Sequence, residues 1–276
     1  MRRPTRYILI AVLLFSLHAA ASAQNFKGTP KKVIDIAPPE RTLTPGESLE
    51  YSVLWLGFDV GTITLKVEEM TRIRGRLCYH LSARAFPNDY LKGMYDIEFN
   101  AHSYLDRRTL CPLRFERTRR INKDTSHMVI DFFPARKEAV YTIDPSPPVT
   151  ITIPKETQDV LSLFYYFRLR RVRHNATYTI DVCYEGKNWQ EAMRTKEPFM
   201  KELFKQGAVP AIEIESESGL HDQLFGGTIF TSTVTVDSRH LPVGFKLQTG
   251  MGPATATIKD LSRKPDASTS RERQKK

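Results

Sequence analysis

The chain has 276 residues, and its 41 lysines and arginines outnumber its 31 aspartates and glutamates to give a net charge of +10. Apolar residues make up 41% of the sequence, charged residues 26% and aromatic residues 10%. Values in this range exclude a wholly disordered chain, a collagen-like chain and a membrane protein with several spans.

The first 23 residues have the three regions of a secretory signal peptide. Three arginines lie within the first six positions, residues 7–17 are an apolar run, and residues 21–23 (Ala-Ser-Ala) form a small-residue cleavage site. The apolar run is about half the roughly 20 residues that a membrane-spanning helix needs. We therefore expect cleavage after Ala23 and export to the periplasm of a Gram-negative bacterium. We expect no transmembrane segment in the mature chain.

The remaining charge is concentrated at the C-terminus. Removal of residues 1–23 leaves +7, of which +4 belongs to the segment after Leu261, so residues 24–261 carry only about +3. A body this close to neutral is not that of a nucleic-acid binder. We expect residues 24–43 to form an extended N-terminal segment and residues 262–276 a disordered basic tail. Such a tail is either simply solvated or a tether to an anionic membrane surface.

Between these termini, residues 44–261 form a single predicted domain rich in β-structure. Apolar and polar residues alternate with period two in many short segments separated by turn residues, as in Leu49-Tyr51-Val53 and Ile63-Leu65-Val67. Helices at the spacing of parallel β-units do not intervene. The pattern predicts an antiparallel curled sheet or an open β-barrel of about ten strands. Gly57 and Gly61 predict a turn or bulge between the first two strands.

Two segments depart from this alternation. In residues 159–172, the apolar Val160, Leu163, Phe164 and Phe167 have the three-four spacing of a helix face. Apolar residues on an adjoining face make the arc wide, so we predict a central helix that lies in or across the sheet. A second, shorter helix is predicted over residues 197–205.

The three cysteines of the exported chain are Cys78, Cys111 and Cys183. An oxidising compartment allows one disulfide and one remaining thiol, but the sequence does not choose among the three pairings. Three small buried apolar residues are an equally good interpretation.

Residue patterns of known catalytic or metal sites are missing from the sequence. The histidines have no zinc-binding spacing, and the sequence has no phosphate-binding glycine loop or dinucleotide fingerprint. His221 and Asp222 lie in a glycine-rich turn without a nucleophile elbow. Glu213, Glu215 and Glu217 alternate with isoleucines, as on a solvated strand face. We therefore predict no enzyme, no metal, no cofactor and no nucleic-acid partner.

One basic segment is a candidate site for anionic headgroups. Arg114, Arg117, Arg119 and Arg120 crowd a short stretch around Phe115 and have the chemistry to bind phosphate. Alternation places Arg117 and Arg119 on the face of Phe115, and the other two arginines on the opposite face. The alternative is an edge hairpin that its charges keep soluble.

Four stretches of the sequence resemble an exported bacterial family. They are Pro-Gly-Glu-Ser-Leu-Glu-Tyr-Ser-Val-Leu-Trp-Leu-Gly-Phe-Asp-Val-Gly-Thr-Ile-Thr-Leu-Lys-Val at 45–67, Tyr95 with Ser-Tyr-Leu-Asp at 103–106 and Pro112, Gln-Asp-Val-Leu-Ser at 158–162, and Tyr-Tyr-Phe-Arg at 165–168. The family is the domain of unknown function 3108, and the resemblance spans about residues 40–261. It implies an envelope protein with a β-rich, barrel-like fold, and it carries over no activity and no catalytic residue.

A curled sheet of this size has room for an apolar ligand, as small ligand-holding barrels do. Our first hypothesis is a periplasmic carrier or binding module for a lipid or other amphiphile, with Val160, Leu163, Phe164 and Phe167 lining the cavity. The alternative is a structural envelope protein with a packed interior, no ligand and protein partners. The sequence does not give the ligand, the partners or the oligomeric state.

Overall fold

A computed structural model describes residues 36–40, 42–93, 97–203, 207–217, 220, 227–250 and 252–263. The predicted signal peptide, most of the N-terminal segment and the basic tail from residue 264 lie outside the described residues. Residues 36–40 run beside the segment that follows residue 235, where the Ala37 amide donates to the Val236 carbonyl at 2.8 Å.

The described residues form 16 strands and two helices. The strands are β1 (Glu47–Trp55), β2 (Phe58–Val67), β3 (Thr71–Ile73), β4 (Arg76–Pro87), β5 (Ile97–Asp106), β6 (Pro112–Ile121), β7 (Asp124–Phe133), β8 (Glu138–Ile143), β9 (Val149–Thr152), β10 (Thr177–Tyr184), β11 (Lys187–Thr195), β12 (Phe199–Leu203), β13 (Gly207–Glu217), β14 (Gly227–Thr235), β15 (Pro242–Thr249) and β16 (Gly252–Arg263). The helices are α1 (Asp89–Lys92) and α2 (Val160–Leu169).

All strands belong to one antiparallel sheet that curls without closing. Its order is β10-β11-β13-β14-β15-β16-β1-β2-β4-β5-β6-β7-β8-β9, with β3 beside β4 and β12 beside β13. Gln158, which follows β9 in the chain, forms an isolated parallel bridge with Val182 of the edge strand β10. Its amide donates to the Asp181 carbonyl, and its carbonyl accepts from the Cys183 amide, both at 2.8 Å. Among the described residues, β9 and β10 are the two ends of the strand order and share no ladder of the kind that would close a barrel.

The prediction of a mainly antiparallel sheet is confirmed, but the prediction of about ten strands is too low. The strands without a predicted segment are β3, β9, β11 and β12. Three of them have only three to five residues, too few for alternation to stand out. Strand β11 has the sequence Lys-Asn-Trp-Gln-Glu-Ala-Met-Arg-Thr, whose polar content hides its strand character.

The helix predicted over residues 159–172 is present as α2, whereas the helix predicted over residues 197–205 is wrong. Residues 199–203 form strand β12, which pairs with β13 from Phe199–Ala211 to Leu203–Gly207. A five-residue segment with apolar side chains at both ends fits the period of a helix and that of a strand equally well. Pairing with the adjacent strand β13 makes it a strand. The second helix is instead α1, a single turn capped by Asn88.

Antiparallel pairing sorts the connections into two ends of the curled sheet. The β1–β2, β4–β5, β6–β7 and β15–β16 connections share one end, which we call the open end. The β3–β4, β5–β6, β7–β8 and β14–β15 connections share the other, which we call the closed end.

The turn between β1 and β2 is as the glycines predicted. Leu56 and Gly57 both have positive φ, 50° and 84°, which is the geometry of a two-residue hairpin turn. The register shifts between Val53 and Leu54 opposite Gly61, so a bulge follows the turn.

Helix α2 crosses the interior at the closed end. Its N-cap residue Asp159 accepts from the amides of Leu161 and Ser162 at 2.8 and 2.7 Å, and the Asp159 amide donates to the Ser162 hydroxyl at 3.0 Å. This capping box satisfies amides that begin a helix without partners. At the other end, the ring nitrogens of His240 lie 2.8 Å from the Phe167 carbonyl and 2.9 Å from the Ala37 carbonyl.

Candidate functional site

The concave face of the sheet is packed at one end and incompletely covered at the other. On nine strands, an inward-facing residue in the half toward the open end is only half-buried: Val53, Ile63, Ala85, Phe99, Ser126, Ile143, Phe230, Leu247 and Ala254. Further along the same strands, the inward-facing residues are buried: Leu49, Leu65, Leu81, Leu105, Ile130, Ala139, Val234, Val243 and Ile258. On these strands, these inward-facing residues are therefore more deeply buried toward the closed end than toward the open end.

Fraying of strand ends does not fully explain this difference, because on β1 and β7 burial continues to the strand ends at the closed end, although Leu261 of β16, opposite Leu49, is half-buried there. Glu47, the first residue of β1, and Phe132, one residue from the end of β7, are each 1% exposed at the closed end. Helix α2 and the adjoining connections cover these strand ends. We call the half-buried inner surface of the curled sheet toward the open end the chamber, and its edge at that end the mouth.

The helix presents a half-buried apolar surface to this chamber. Val160, Leu163 and Phe164 are half-buried, whereas Phe167 is buried. Phe164 packs edge-on against the rings of Phe230 and Phe245, with ring centroids 5.8 and 5.0 Å apart. The predicted cavity residues are thus on the helix, but Phe167 belongs to the packed side. Phe230 and Phe245, which the sequence offered only as strand residues, complete the aromatic cluster.

The packed side of α2 holds the residues that the sequence placed on an adjoining face. Leu161, Tyr165 and Leu169 are each 1–2% exposed. Burial raises the pKa of the Tyr165 phenol well above its ordinary value. Arg168 on the same side forms a buried ion pair with Glu47. Because these side chains are packed against the sheet, it is the other face of the helix that borders the chamber.

The N-cap carboxyl of α2 is buried against the sheet. Asp159 accepts a 2.6 Å hydrogen bond from the Ser103 hydroxyl on β5, in addition to its two amide donors. Burial nevertheless dominates and raises the pKa of Asp159 to about 6, because it disfavours the charged carboxylate more than these donors favour it. Its partners are those of a structural cap.

The four arginines proposed for headgroup contact separate onto two faces, as alternation predicted. On the outer face, Arg114 pairs with Glu116 at 2.6 Å and Arg120 pairs with Glu98 at 3.0 Å. On the inner face, Arg117 is 3% exposed and Arg119 is exposed.

The two inward arginines have different surroundings. Arg117 donates to the Tyr184 hydroxyl and pairs with Glu185 at 3.1 Å, while its Nε is buried without a partner in the part of the chain that the structure describes. Arg119 lies one level nearer the open end, opposite Phe99 and Ser126. The Tyr184 and Glu185 partners of Arg117 lie on another strand and its turn, far along the chain, so the sequence had no signal for them.

The three cysteines are unpaired and buried. Burial raises the pKa of all three thiols, that of Cys183 to about 12. A thiol held protonated at neutral pH is a poor nucleophile and a poor metal ligand. The sequence left the pairing open, and the structure favours the interpretation as small apolar residues.

Other kinds of site have less support in the described residues. Among the residues that the structure describes, no three histidine, cysteine or acidic side chains come close enough to hold a metal ion. Neither described helix has the length and apolar character to cross a membrane. An open groove of about 530 Å³ at the closed end is lined by Arg72, Gly75, Arg76, Leu77, Asp106, Arg107 and Arg108. The Arg76 guanidinium in this groove already forms an ion pair with Asp106 at 2.7 Å.

Two solved structures are similar to this chain in outline. One is a β-barrel-like protein of the domain of unknown function DUF1849 from Brucella abortus, with a TM-score of 0.48 and 7% identity over 79% of this chain and 97% of that chain. The other is a putative exported protein with a YmcC-like fold from Bacteroides fragilis, with a TM-score of 0.37 and 6% identity over 83% of this chain and 99% of that chain.

The curated proteins contain no match to the chain. A family model, described as "Protein of unknown function (DUF3108)", matches residues 50–259, which span the sheet from β1 to β16 and include helix α2. This match agrees with the resemblance of the sequence motifs, and the chain belongs to the DUF3108 family.

Proposed function

We propose that the protein is exported to the periplasm, where it binds a lipid or other amphiphile in the chamber and carries it. The observation that carries this proposal is the asymmetry of burial between the two ends of the same strands. Apolar side chains that face inward at the open end stay partly in contact with water. Covering them with an apolar ligand releases about 25 cal/mol for each Å² removed from water.

The lining favours an aliphatic chain over a polar ligand. Phe99, Phe230 and Phe245 supply aromatic surface, and the neighbouring alanines at 83, 85 and 254 leave room above the sheet. Ligand sites in small barrels are likewise mostly apolar, with a few polar groups that set orientation.

Arg119 supplies such a polar group at the mouth. It lies on the inner face, is exposed, and has no ion-pair partner among the described residues. Its guanidinium suits a phosphate or carboxylate headgroup, so the ligand that fits best is an anionic amphiphile with its head at the open end. Arg114 and Arg120 lie on the outer face with acidic partners, so we assign them no role in binding the ligand.

The experiment is binding of a fluorescent fatty acid to the purified mature chain, together with native mass spectrometry of protein from a periplasmic extract. Ala85→Phe places a ring in the mouth of the chamber and should weaken probe binding at least about tenfold with little effect on melting. Thr64→Phe adds the same ring to the outer face of β2 and serves as the matched control. The structural alternative, a packed interior with protein partners, predicts no co-purifying lipid, no probe binding and a marked loss of stability in Ala85→Phe.

A further inference from the structure

Four large apolar side chains are exposed around the mouth of the chamber. Leu56 is 49% exposed, Phe58 73%, Phe86 38% and Tyr90 75%. They come from the β1–β2 turn, the end of β4 and helix α1, which are all connections of the open end. We call these four residues the apolar rim. Single exposed apolar residues are ordinary, but a cluster at one end of a molecule marks an interaction surface.

The apolar rim is held in place by the backbone. The Asn88 amide donates to the Val60 carbonyl at 3.1 Å, and the Asn88 side chain donates to the Asp59 carbonyl at 2.5 Å. The same side chain caps α1 by accepting from the Leu91 amide. On the other side, the Leu56 amide donates to the Pro253 carbonyl at 3.2 Å. These bonds join the turn, the helix and the β15–β16 connection into one fixed edge.

The β1–β2 turn can be compared with two others of the same geometry in this chain. Leu56-Gly57, Arg74-Gly75 and Glu185-Gly186 all have positive φ at both positions. Such turns favour asparagine or aspartate before the glycine, because other side chains crowd the backbone there. The other two turns carry a charged residue at this position that pairs with an oppositely charged side chain, Arg74 with Asp131 and Glu185 with Arg117, both at 3.1 Å. Only the turn at the mouth exposes a leucine there and follows it with an exposed phenylalanine, so folding alone does not explain the choice.

We propose that the apolar rim docks on the surface of a lipid bilayer, with Leu56, Phe58, Phe86 and Tyr90 entering the boundary between headgroups and acyl chains. This inference rests on the proposed function, because the apolar rim surrounds the mouth through which an amphiphile would pass. Docking there lets the ligand move between chamber and bilayer without crossing water.

The shape and chemistry of the apolar rim suit a bilayer better than a protein partner. Its side chains come from a turn, a strand end and a one-turn helix rather than from one continuous strand or helix face. Tyr90 combines an apolar ring with a hydroxyl, the combination enriched at membrane interfaces. Charges at this end are mixed, since Arg119 and Lys123 are accompanied by Asp59, Asp89 and Asp124. Apolar insertion should therefore dominate, and binding should depend only weakly on salt.

The test is co-sedimentation of the mature chain with phosphatidylcholine vesicles. Phe58→Ser should lower partitioning at least about tenfold, because it removes the most exposed aromatic ring of the turn. Leu56→Asn should also weaken binding, while asparagine suits the turn and keeps the melting temperature near that of the parent. The matched control is Met200→Ser, which removes an apolar side chain that is 53% exposed on β12 and should leave partitioning unchanged.

Three outcomes overturn the docking proposal: no co-sedimentation of the parent, equal partitioning of parent and rim variants, or a dimer in solution that Phe58→Ser disperses. Binding of the fluorescent fatty acid, measured without vesicles, separates this proposal from the proposed function. Probe binding without vesicle binding rejects only the docking. Vesicle binding without probe binding rejects the carrier function and leaves a membrane-docking protein.

Discussion

Arg168, in the last turn of α2, donates through both terminal guanidinium nitrogens to the two carboxylate oxygens of Glu47, the first residue of β1. The distances are 2.5 and 3.2 Å, and the side chains are 4% and 1% exposed. The two residues are 121 positions apart in the chain. This ion pair joins the helix to the sheet at the closed end, and thereby fixes which side of the helix faces the chamber.

Replacing one member of this ion pair should destabilise the protein far more than replacing both. Arg168→Met leaves the Glu47 carboxylate buried without its cation and should cost about 3 to 5 kcal/mol in the free energy of unfolding. Adding Glu47→Gln should restore part of that loss, because no uncompensated charge remains. The control is Lys259→Met, which breaks the exposed Lys259–Glu50 pair of 3.4 Å and should cost less than about 1 kcal/mol. Urea unfolding of the four proteins checks the expectation, and equal losses for Arg168→Met and Lys259→Met would contradict it.

The Asp159 carboxyl should make the protein less stable as pH rises from about 4 to 6. Its pKa is about 6 in the folded protein against an ordinary value of 3.8, so the folded state keeps a proton that the unfolded state has lost. The resulting loss of stability is on the order of 3 kcal/mol and is complete above pH 6.

Asp159→Asn isolates this effect. Asparagine is also a good N-cap, and its amide nitrogen can donate to Ser103, so the helix start is retained. We expect the stability of the variant relative to the parent to increase between pH 4 and pH 6. The quantity to compare is the difference in unfolding free energy between variant and parent at each pH. Asp106 and Asp237, whose pKa values are lowered, contribute the opposite trend to both proteins and cancel in that difference. A difference that is constant with pH would exclude the raised pKa.

Two glycines near the mouth should respond very differently to the same substitution. A Cβ at Gly61 would lie 2.2 Å from the Phe86 carbonyl oxygen, and that backbone is paired with β2 and cannot move freely. A Cβ at Gly57 meets nothing within 4 Å, although φ is 84°. Gly57→Ala should cost about 1 kcal/mol from the backbone conformation alone, and Gly61→Ala roughly 2 to 4 kcal/mol. Thermal melting checks this order, and the reverse order would show that the bulge is misplaced.

The sequence predicted the elements of this fold better than their contacts. Alternation found the longer strands except β11, and it separated Arg117 and Arg119 from Arg114 and Arg120, because period two depends only on local geometry. It did not show that Arg117 meets Tyr184, since such a contact depends on how the sheet curls. Helix α2 has apolar residues on most of its circumference, so the sequence did not show which of its faces packs against the sheet. The orientation follows from Glu47, a residue in a distant strand whose role no local pattern reveals.

The two phenylalanines of α2 test whether the chamber is empty. Phe167 is 6% exposed and packs against Tyr178 and Tyr166, so Phe167→Ala should cost roughly 3 to 5 kcal/mol by leaving a void in a packed region. Phe164 is half-buried, and its ring packs edge-on against Phe230 and Phe245. Phe164→Ala should therefore cost clearly less, about 1 to 2 kcal/mol, because much of the surrounding space is already accessible.

Binding of the fluorescent fatty acid should follow the opposite order. Phe164→Ala changes the lining of the chamber and should alter the dissociation constant of the probe at least about threefold. Phe167→Ala, measured well below its lowered melting temperature, should bind the probe like the parent because its side chain belongs to the packed side of the helix. Equal stability losses in the two variants, with no probe binding in the parent, would mean that the interior is a packed core. In that case the structural envelope protein would be the better account of the fold, since half-buried residues at the open end would then be strand ends and nothing more.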